Sequence, residues 1–234
     1  MRREIKKALE AIAPELLKRL KGCRIIGLGS GRTVAYLLKH VSDFIKKEEM
    51  EAIFVPSSRQ IALRAEELRL ELKSHEFIES IDFTVDGADE VDLKANAIKG
   101  GGGALINERI LASMSKKYVI VVDEEKLSSR VGEKASVPVE LIPRAYKALS
   151  KILREKNLEF KLRVDERGYP KLSESGNLVF NVKMPMNVNL RNFYTELKLL
   201  PGVVDVGIFL SSEIDEVIIG KFDGTFKRLR GGRS

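Results

Sequence analysis

Four consecutive glycines, Gly100 to Gly103, follow an apolar pair and a lysine (Ala97-Ile98-Lys99) and lead into a helical pattern that begins at Ala104-Leu105. Ordering four glycines costs more backbone entropy than ordering any other four residues. Such a run is justified where bare N–H groups must lie against a ligand at a helix start, since a nest of N–H groups there binds anions. Just upstream, Val85-Asp86-Gly87-Ala88-Asp89-Glu90-Val91-Asp92 places four acids within seven residues at the end of an apolar run. A flexible acidic surface loop accounts for the acids alone. It does not account for acids, a lysine, four glycines and a helix in succession.

The same grammar recurs along the chain. Ile5, Ala8, Leu9, Ile12, Leu16, Leu17 and Leu20 share one helical face, and Gly22 closes that helix. Arg24 to Gly29 is a short buried strand. Gly29-Ser30-Gly31-Arg32-Thr33 then turns into a helix with Val34, Leu37, Leu38 and Val41 on one face. This turn is not a dinucleotide fingerprint, because Arg32 stands where the third glycine would fall, and it lacks the Gly-Lys-Ser/Thr of a P-loop. Its hydroxyls, N–H groups and guanidinium suit a single phosphate. Ala52 to Pro56 and Ser57-Ser58-Arg59 repeat the strand–turn–helix unit, with the serines as helix caps or ligand groups. Ile81 to Val85 is a third strand ending at Asp86. Tyr118 to Val122 is a fourth, ending at Asp123 with Lys126 just beyond.

Repeated strand–loop–helix units predict a parallel sheet covered on both faces. The expected fold class is α/β, a Rossmann-like, doubly wound and mainly parallel sheet with a second, smaller α+β domain. In such sheets ligands bind beyond the carboxyl ends of the strands, and Gly29 to Thr33, Ser57, Asp86, Asp89 and Asp123 all fall there. The character changes at Val137-Pro138-Val139, after which the order β-α-β-β-α-β suggests a ferredoxin-like unit. The expected division is 1–132 plus 210–229 for the catalytic domain and 133–209 for the smaller one, with an oligomerisation role. Gly202 to Phe209 reads as one strand and Val217 to Gly220 as a return to the first sheet. The basic tail from Arg228 reads as frayed. Phe193, Tyr194, Ile208 and Phe209 read as exposed apolar residues available to a subunit interface, and Glu90 and Asp92 as surface or turn residues.

A net charge of +7 fits either a polynucleotide or a small anionic substrate. The basic residues are dispersed and no Trp is present, so no stacking platform is visible and nucleic acid is not expected. One cysteine, Cys23, excludes an internal disulfide and a cysteine zinc cluster, and His40 and His75 do not suggest a metal site. There is no apolar run long enough to cross a membrane and no signal-peptide pattern, so a cytoplasmic location is expected.

The residues just described resemble the ribose-5-phosphate isomerase A family over almost the whole chain. Gly27 to Thr33 is similar to its first glycine loop. Val85 to Glu90, and Ile98 to Leu105 with Glu108 nine residues after Lys99, match its two most distinctive motifs. Asp123 and Lys126 match its Asp-x-x-Lys segment, and Pro138-Val139-Glu140 and Leu200 to Phe209 match later ones. Two positions depart. Arg32 replaces a small hydroxyl residue, and Ser173-Glu174-Ser175-Gly176-Asn177 replaces a Thr-Asp-x-Gly-Asn pattern.

The resemblance implies an aldose–ketose isomerase acting on D-ribose 5-phosphate and D-ribulose 5-phosphate through an enediolate, with no cofactor and no metal. It implies Glu108 as the base, Lys99 and the Gly100–Gly103 amides (Gly100, Gly101, Gly102, Gly103) as stabilisers of the enediolate oxygen, and Asp86 as an aid to ring opening. Asp89 would hold sugar hydroxyls or orient Lys99. Ser30, Gly31, Thr33 and Lys126, with Arg32 beside them, would bind the phosphate, and Asp123 would position Lys126. A homodimer or homotetramer is also implied. The rival readings are a sugar-phosphate sensor of the same fold, which needs no Glu108–Lys99 pair, an acyl-CoA transferase with a glutamate nucleophile, and a nucleic-acid binder.

Overall fold

The computed structural model describes residues 1–233. Along the chain come α1 (Arg3–Leu20), β1 (Ile25–Leu28), α2 (Arg32–Lys47), β2 (Ile53–Pro56), α3 (Arg59–Glu67), β3 (Glu71–Leu72) and β4 (Phe83–Asp86). Then follow β5 (Glu90–Asp92), β6 (Ala97–Ile98), α4 (Leu105–Met114), β7 (Tyr118–Asp123) and β8 (Leu127–Ser128). The second half contributes β9 (Val137–Leu141), α5 (Tyr146–Glu155), β10 (Phe160–Leu162), β11 (Leu178–Val182), α6 (Leu190–Lys198), β12 (Val203–Val206), β13 (Ile208–Phe209), β14 (Glu216–Gly220) and β15 (Phe226–Arg230).

The central sheet has seven strands in the order β15-β14-β7-β4-β1-β2-β3. Every pairing in it is parallel except the edge hairpin β14–β15. β7 is apolar almost throughout because both of its faces are buried. Val119 and Val121 join the core beneath α1, α2 and α3. Tyr118, Ile120 and Val122 face a second core with Ala112 of α4 and Phe209. The small unit has the sheet order β10-β11-β9-β12 with all pairings antiparallel. With α5 and α6 it has the ferredoxin-like β-α-β-β-α-β succession.

A third sheet, β13-β6-β5-β8, lies between these two and explains a break in the sequence pattern. The run from Gly202 to Phe209 is two strands rather than one, parted at Gly207. The Gly207 N–H donates to Pro138 O (2.7 Å) in the small unit, while its carbonyl accepts from Lys99 N (2.9 Å) in the connecting sheet. A Cβ at Gly207 would overlap the Lys99 carbonyl oxygen, so only glycine fits this crossing.

Other expectations are corrected. Phe193, Ile208 and Phe209 are core residues rather than exposed ones. Periodicity could not show this, because they are covered by elements distant in sequence. Glu90 and Asp92 are buried. Glu90 accepts from the amides of Gly132, Glu133, Lys134 and Ala135, and Asp92 caps the turn through Lys94 and Asn96. Over its described residues the basic tail is not frayed, and Ser234 lies outside them. Residues 226–230 form the edge strand β15, and the Gly231 and Gly232 amides donate to Asp215 O and Ser211 O. Lys and Arg on an edge strand also discourage pairing with another chain.

Candidate active site

Three strand ends converge beneath one cavity of about 840 Å³. The end of β1 supplies Ser30 to Thr33, the end of β4 supplies Gly87 to Asp89, and the end of β7 supplies Asp123, Glu125 and Lys126. Lys99, Gly100, Gly101, Gly102 and Glu108 complete the floor, and Met1, Arg2, Ile5 and Gln60 stand at the rim. Asp86 and Gly103 are not among the lining residues, and neither is Ser57. Its hydroxyl is buried without a hydrogen-bond partner, and its carbonyl accepts from Asn107 Nδ2.

Lys99 is the centre of the floor. Only 2% of its side chain is exposed, and Nζ lies 3.0 Å from Asp86 Oδ2 and 3.2 Å from Glu108 Oε2. It also donates to Gly87 O at 2.5 Å. Burial works against its charge, but Asp86 and Glu108 outweigh burial and hold the amine above its ordinary range. Asp86 is fully buried. That burial, and next the Glu108 charge, push its carboxyl up to about 7 against the opposing pull of Lys99 and the Tyr118 hydroxyl. Tyr118 donates to Asp86 Oδ2 at 2.8 Å. Its own ionisation is pushed well above the ordinary phenol range by burial and then by Asp86 and Glu108, so it remains a donor.

Glu108 sits one turn into α4, its amide donating to Ala104 O. The side chain is buried, with Oε1 accepting from Ser30 Oγ at 2.5 Å. Oε2 approaches Lys99 but has no aligned hydrogen bond, leaving one carboxylate oxygen unspent. The Ser30 hydroxyl is therefore turned to Glu108. Asp89 accepts from the Gly101 amide at 2.7 Å and so braces the glycine turn rather than touching Lys99. Asp123 caps the 3-10 turn Glu124–Lys126 through the Glu125 amide, which fixes the backbone that carries Lys126. Arg32 is exposed at the first position of α2, and Arg2 pairs with Glu125 across the mouth. Among the described residues no cluster of three or more His, Cys, Asp and Glu side chains is arranged to hold a metal ion.

The glycines have separate physical reasons. A Cβ at Gly29 would overlap the Asp86 carboxylate, and one at Gly27 would overlap Thr84 Oγ1. These two therefore make room for β4, beyond whatever the turn offers a phosphate. Gly100 and Gly103 have φ of +99° and +87°, which side chains rarely adopt. The Gly103 amide closes a turn onto Gly100 O at 3.0 Å.

Comparisons with known proteins place the chain in a family. The model of the family ribose 5-phosphate isomerase A (phosphoriboisomerase A) matches residues 53–224. The chain belongs to that family. Among its ribose-5-phosphate isomerase A relatives, that of Pyrococcus abyssi is 39% identical over 214 residues, covering 91% of this chain and 93% of the relative. A solved D-ribose-5-phosphate isomerase in complex with phospho-erythronic acid superposes with a TM-score of 0.91 at 34% identity, covering 98% of this chain and 100% of that one. The ribose 5-phosphate isomerase A of Methanocaldococcus jannaschii gives 0.88 at 32%, covering 95% and 98%.

Three residues around the floor were not picked out from the sequence: Tyr118, Arg163 and Arg109. Tyr118 had a signal, a tyrosine at the start of an otherwise aliphatic buried strand. Arg109 had one too, an arginine beside Glu108 on a helix with few polar positions. It pairs with Asp205 at 2.7 Å and with Glu213, and donates to Val206 O and Ile208 O. Arg163 had none.

Proposed function

We propose that this chain interconverts D-ribose 5-phosphate and D-ribulose 5-phosphate by proton transfer between carbons 2 and 1. One observation carries the assignment of roles: a buried lysine shared by two buried carboxylates, at the foot of a cavity walled by two glycine turns. An aldose–ketose isomerisation needs a base, a group to stabilise the developing enediolate and a clamp on the phosphate.

Glu108 is the base. Ser30 fixes one of its oxygens, and the other is free to take the proton. Lys99 and the amides of the glycine turn stabilise the enediolate oxygen, where one such donor contributes about 100- to 1000-fold in rate. Asp86, with its ionisation raised, assists ring opening from behind the floor, through the Lys99 ammonium that it contacts. Asp89 keeps the glycine turn in place and faces the sugar. Gly31, Thr33, Arg32 and Lys126 bind the phosphate, with Ser30 offering its amide because its hydroxyl is spent on Glu108. The proton-transferring groups, Glu108 and Lys99, are themselves buried, which strengthens their mutual electrostatics.

We further assign residues 133–209 to an oligomerisation unit of a homodimer or homotetramer. Support comes from the exposed apolar side chains of Val164, Tyr169, Leu172, Met186 and Leu199 on it. No helix among the described residues is long and apolar enough to cross a membrane, which accords with a cytoplasmic enzyme.

The test is direct. The purified chain in EDTA should convert ribose 5-phosphate to ribulose 5-phosphate. Glu108→Gln should lose about 100- to 10,000-fold in kcat, the range for a general base. Near-wild-type turnover in that variant would refute the base assignment.

A further inference from the structure

We propose that Arg163, supplied by the small unit, is a positioning residue for the reaction: it grips two carbonyls of the glycine turn and thereby aims the Gly102 N–H at the substrate oxygen. The proposal rests on the reading of that turn as the enediolate cradle.

The geometry is specific. Arg163 follows β10, its backbone fixed by donation to Val179 O (2.8 Å) and acceptance from Lys171 N (3.0 Å). Nη2 donates to Asn181 Oδ1 on β11 at 2.7 Å. Nη1 is left to reach across to the other domain, 2.8 Å from Gly100 O and 3.2 Å from Gly101 O. Burial disfavours the guanidinium charge here, with Asp89 opposing that effect.

A trans peptide is planar, with its N–H opposed to its C=O. Holding the Gly100 carbonyl toward Arg163 therefore turns the Gly101 N–H away from it, and that N–H meets Asp89 Oδ2 at 2.7 Å. The same rule applied to the next peptide turns the Gly102 N–H away from Arg163. On the cavity side the Cβ position of Gly102 lies 3.6 Å from Ser30 Oγ, the hydroxyl bound to Glu108. Among the described residues no protein acceptor meets the Gly102 N–H. It is a donor held ready and unpaired. Without a fixed carbonyl, a glycine peptide rotates at little steric cost. The guanidinium also adds positive charge behind the peptide dipole, which strengthens the N–H as a donor.

The experiment uses the full chain. Arg163→Met and Arg163→Lys are compared with wild type for kcat, KM and inhibition by 4-phospho-D-erythronate, a sugar acid whose planar anionic carboxylate mimics the enediolate. Arg163→Met should lower kcat about 10- to 100-fold, somewhat less than loss of a whole donor, with KM changed less than about threefold. Inhibition should weaken by a similar factor, and Arg163→Lys should fall between. A folded Arg163→Met with kcat and inhibition within threefold of wild type overturns the proposal. So does a loss of kcat that disappears once rates are scaled to the fraction of folded protein. If Arg163→Met does not fold, Asn181→Ala, which frees Nη2 only, should lower kcat a few-fold with KM unchanged, and no effect there overturns it. If wild type shows no isomerase activity, the functional reading fails instead. Calorimetric binding of 4-phospho-D-erythronate to wild type and Arg163→Met then decides the orienting role by itself, with equal affinity overturning it.

Discussion

The carboxylate of Asp86 makes a measurable demand on stability, because the folded protein holds its proton more tightly than the unfolded chain does. Burial and then Glu108 raise its folded pKa to about 7, whereas an unfolded aspartate titrates near 3.9. Between those values the native state binds more protons than the unfolded state. Stability contributed by this group is therefore present at low pH and is lost as pH rises through the window from about 4 to about 7. At about 1.36 kcal/mol per pKa unit, the loss from pH 4.5 to pH 8 is on the order of 3 kcal/mol, an upper figure because relaxation and water entry reduce it. Lys99 does not confuse the window. Its pKa is raised above an already high value, so its contribution is lost only well above neutrality.

Asp86→Asn removes the titrating group and leaves Lys99 paired with Glu108. Urea unfolding followed at pH 4.5, 6 and 8 should show the variant gaining roughly 2–3 kcal/mol on wild type across that range. Glu108→Gln supplies the internal control. It deletes the second cause of the raised pKa and leaves Lys99 wholly to Asp86, so the wild-type slope should flatten without vanishing. Parallel stability curves for wild type and Asp86→Asn, differing by less than about 1 kcal/mol in their change, would show that the Asp86 carboxyl stays ionised. The aid to ring opening assigned to its raised ionisation would then fall as well.

Two other substitutions separate room from chemistry. Gly29→Ala should cut kcat by at least about tenfold, since displaced catalytic groups are costly and the new methyl meets the Asp86 carboxylate; steady-state kinetics with a circular-dichroism check of folding would read this. Arg109→Met should cost on the order of 3–5 kcal/mol in chemical denaturation, because it leaves the buried Asp205 with Lys198 as its remaining ion-pair partner. Unchanged stability there would mean that the buried Arg109–Asp205 pair makes no net contribution to the fold.

How much of this could be read from the sequence follows from the range of each interaction. The strand–turn–helix units are local, and apolar runs closed by polar or glycine residues located β1, β2, β4 and β7. The placement of Glu108 is local as well, since a helix starting after Ala104 puts it one turn in. The convergence of strand ends was legible because a parallel sheet admits one functional edge. The partners that tune the site were not. The Tyr118–Asp86 hydrogen bond joins residues 32 apart, and the Arg163–Gly100 bond residues 63 apart. Neither has a periodicity. Gly29 was visible as a turn residue, but its need to clear Asp86 depends on β1 lying beside β4. Likewise, Phe209 read as exposed until the connecting sheet placed it under Lys99 and Arg109, 5.5 Å and 4.0 Å from its ring centroid.

These long-range contacts bear on how the two units share the work. The glycine turn is held on one side by Asp89 of the parallel-sheet domain and on the other by the small unit. Arg163 takes the carbonyls of Gly100 and Gly101, and the Glu174 amide donates to Gly103 O at 2.9 Å. Glu174 in turn accepts from the Arg59 amide at the start of α3, so the loop carrying it spans from the small unit back to the first domain. That loop is anchored at its base by Ser173 and Asn177 on the buried Glu140. Its departure from the family's usual pattern keeps a hydroxyl at Ser173 and the amide at Asn177, the two groups that Glu140 uses. A turn of four glycines has almost no rigidity of its own. Its precision has to come from what grips it, and two of its grips belong to the small unit. Substitutions in the small unit can therefore change turnover through the turn that it grips.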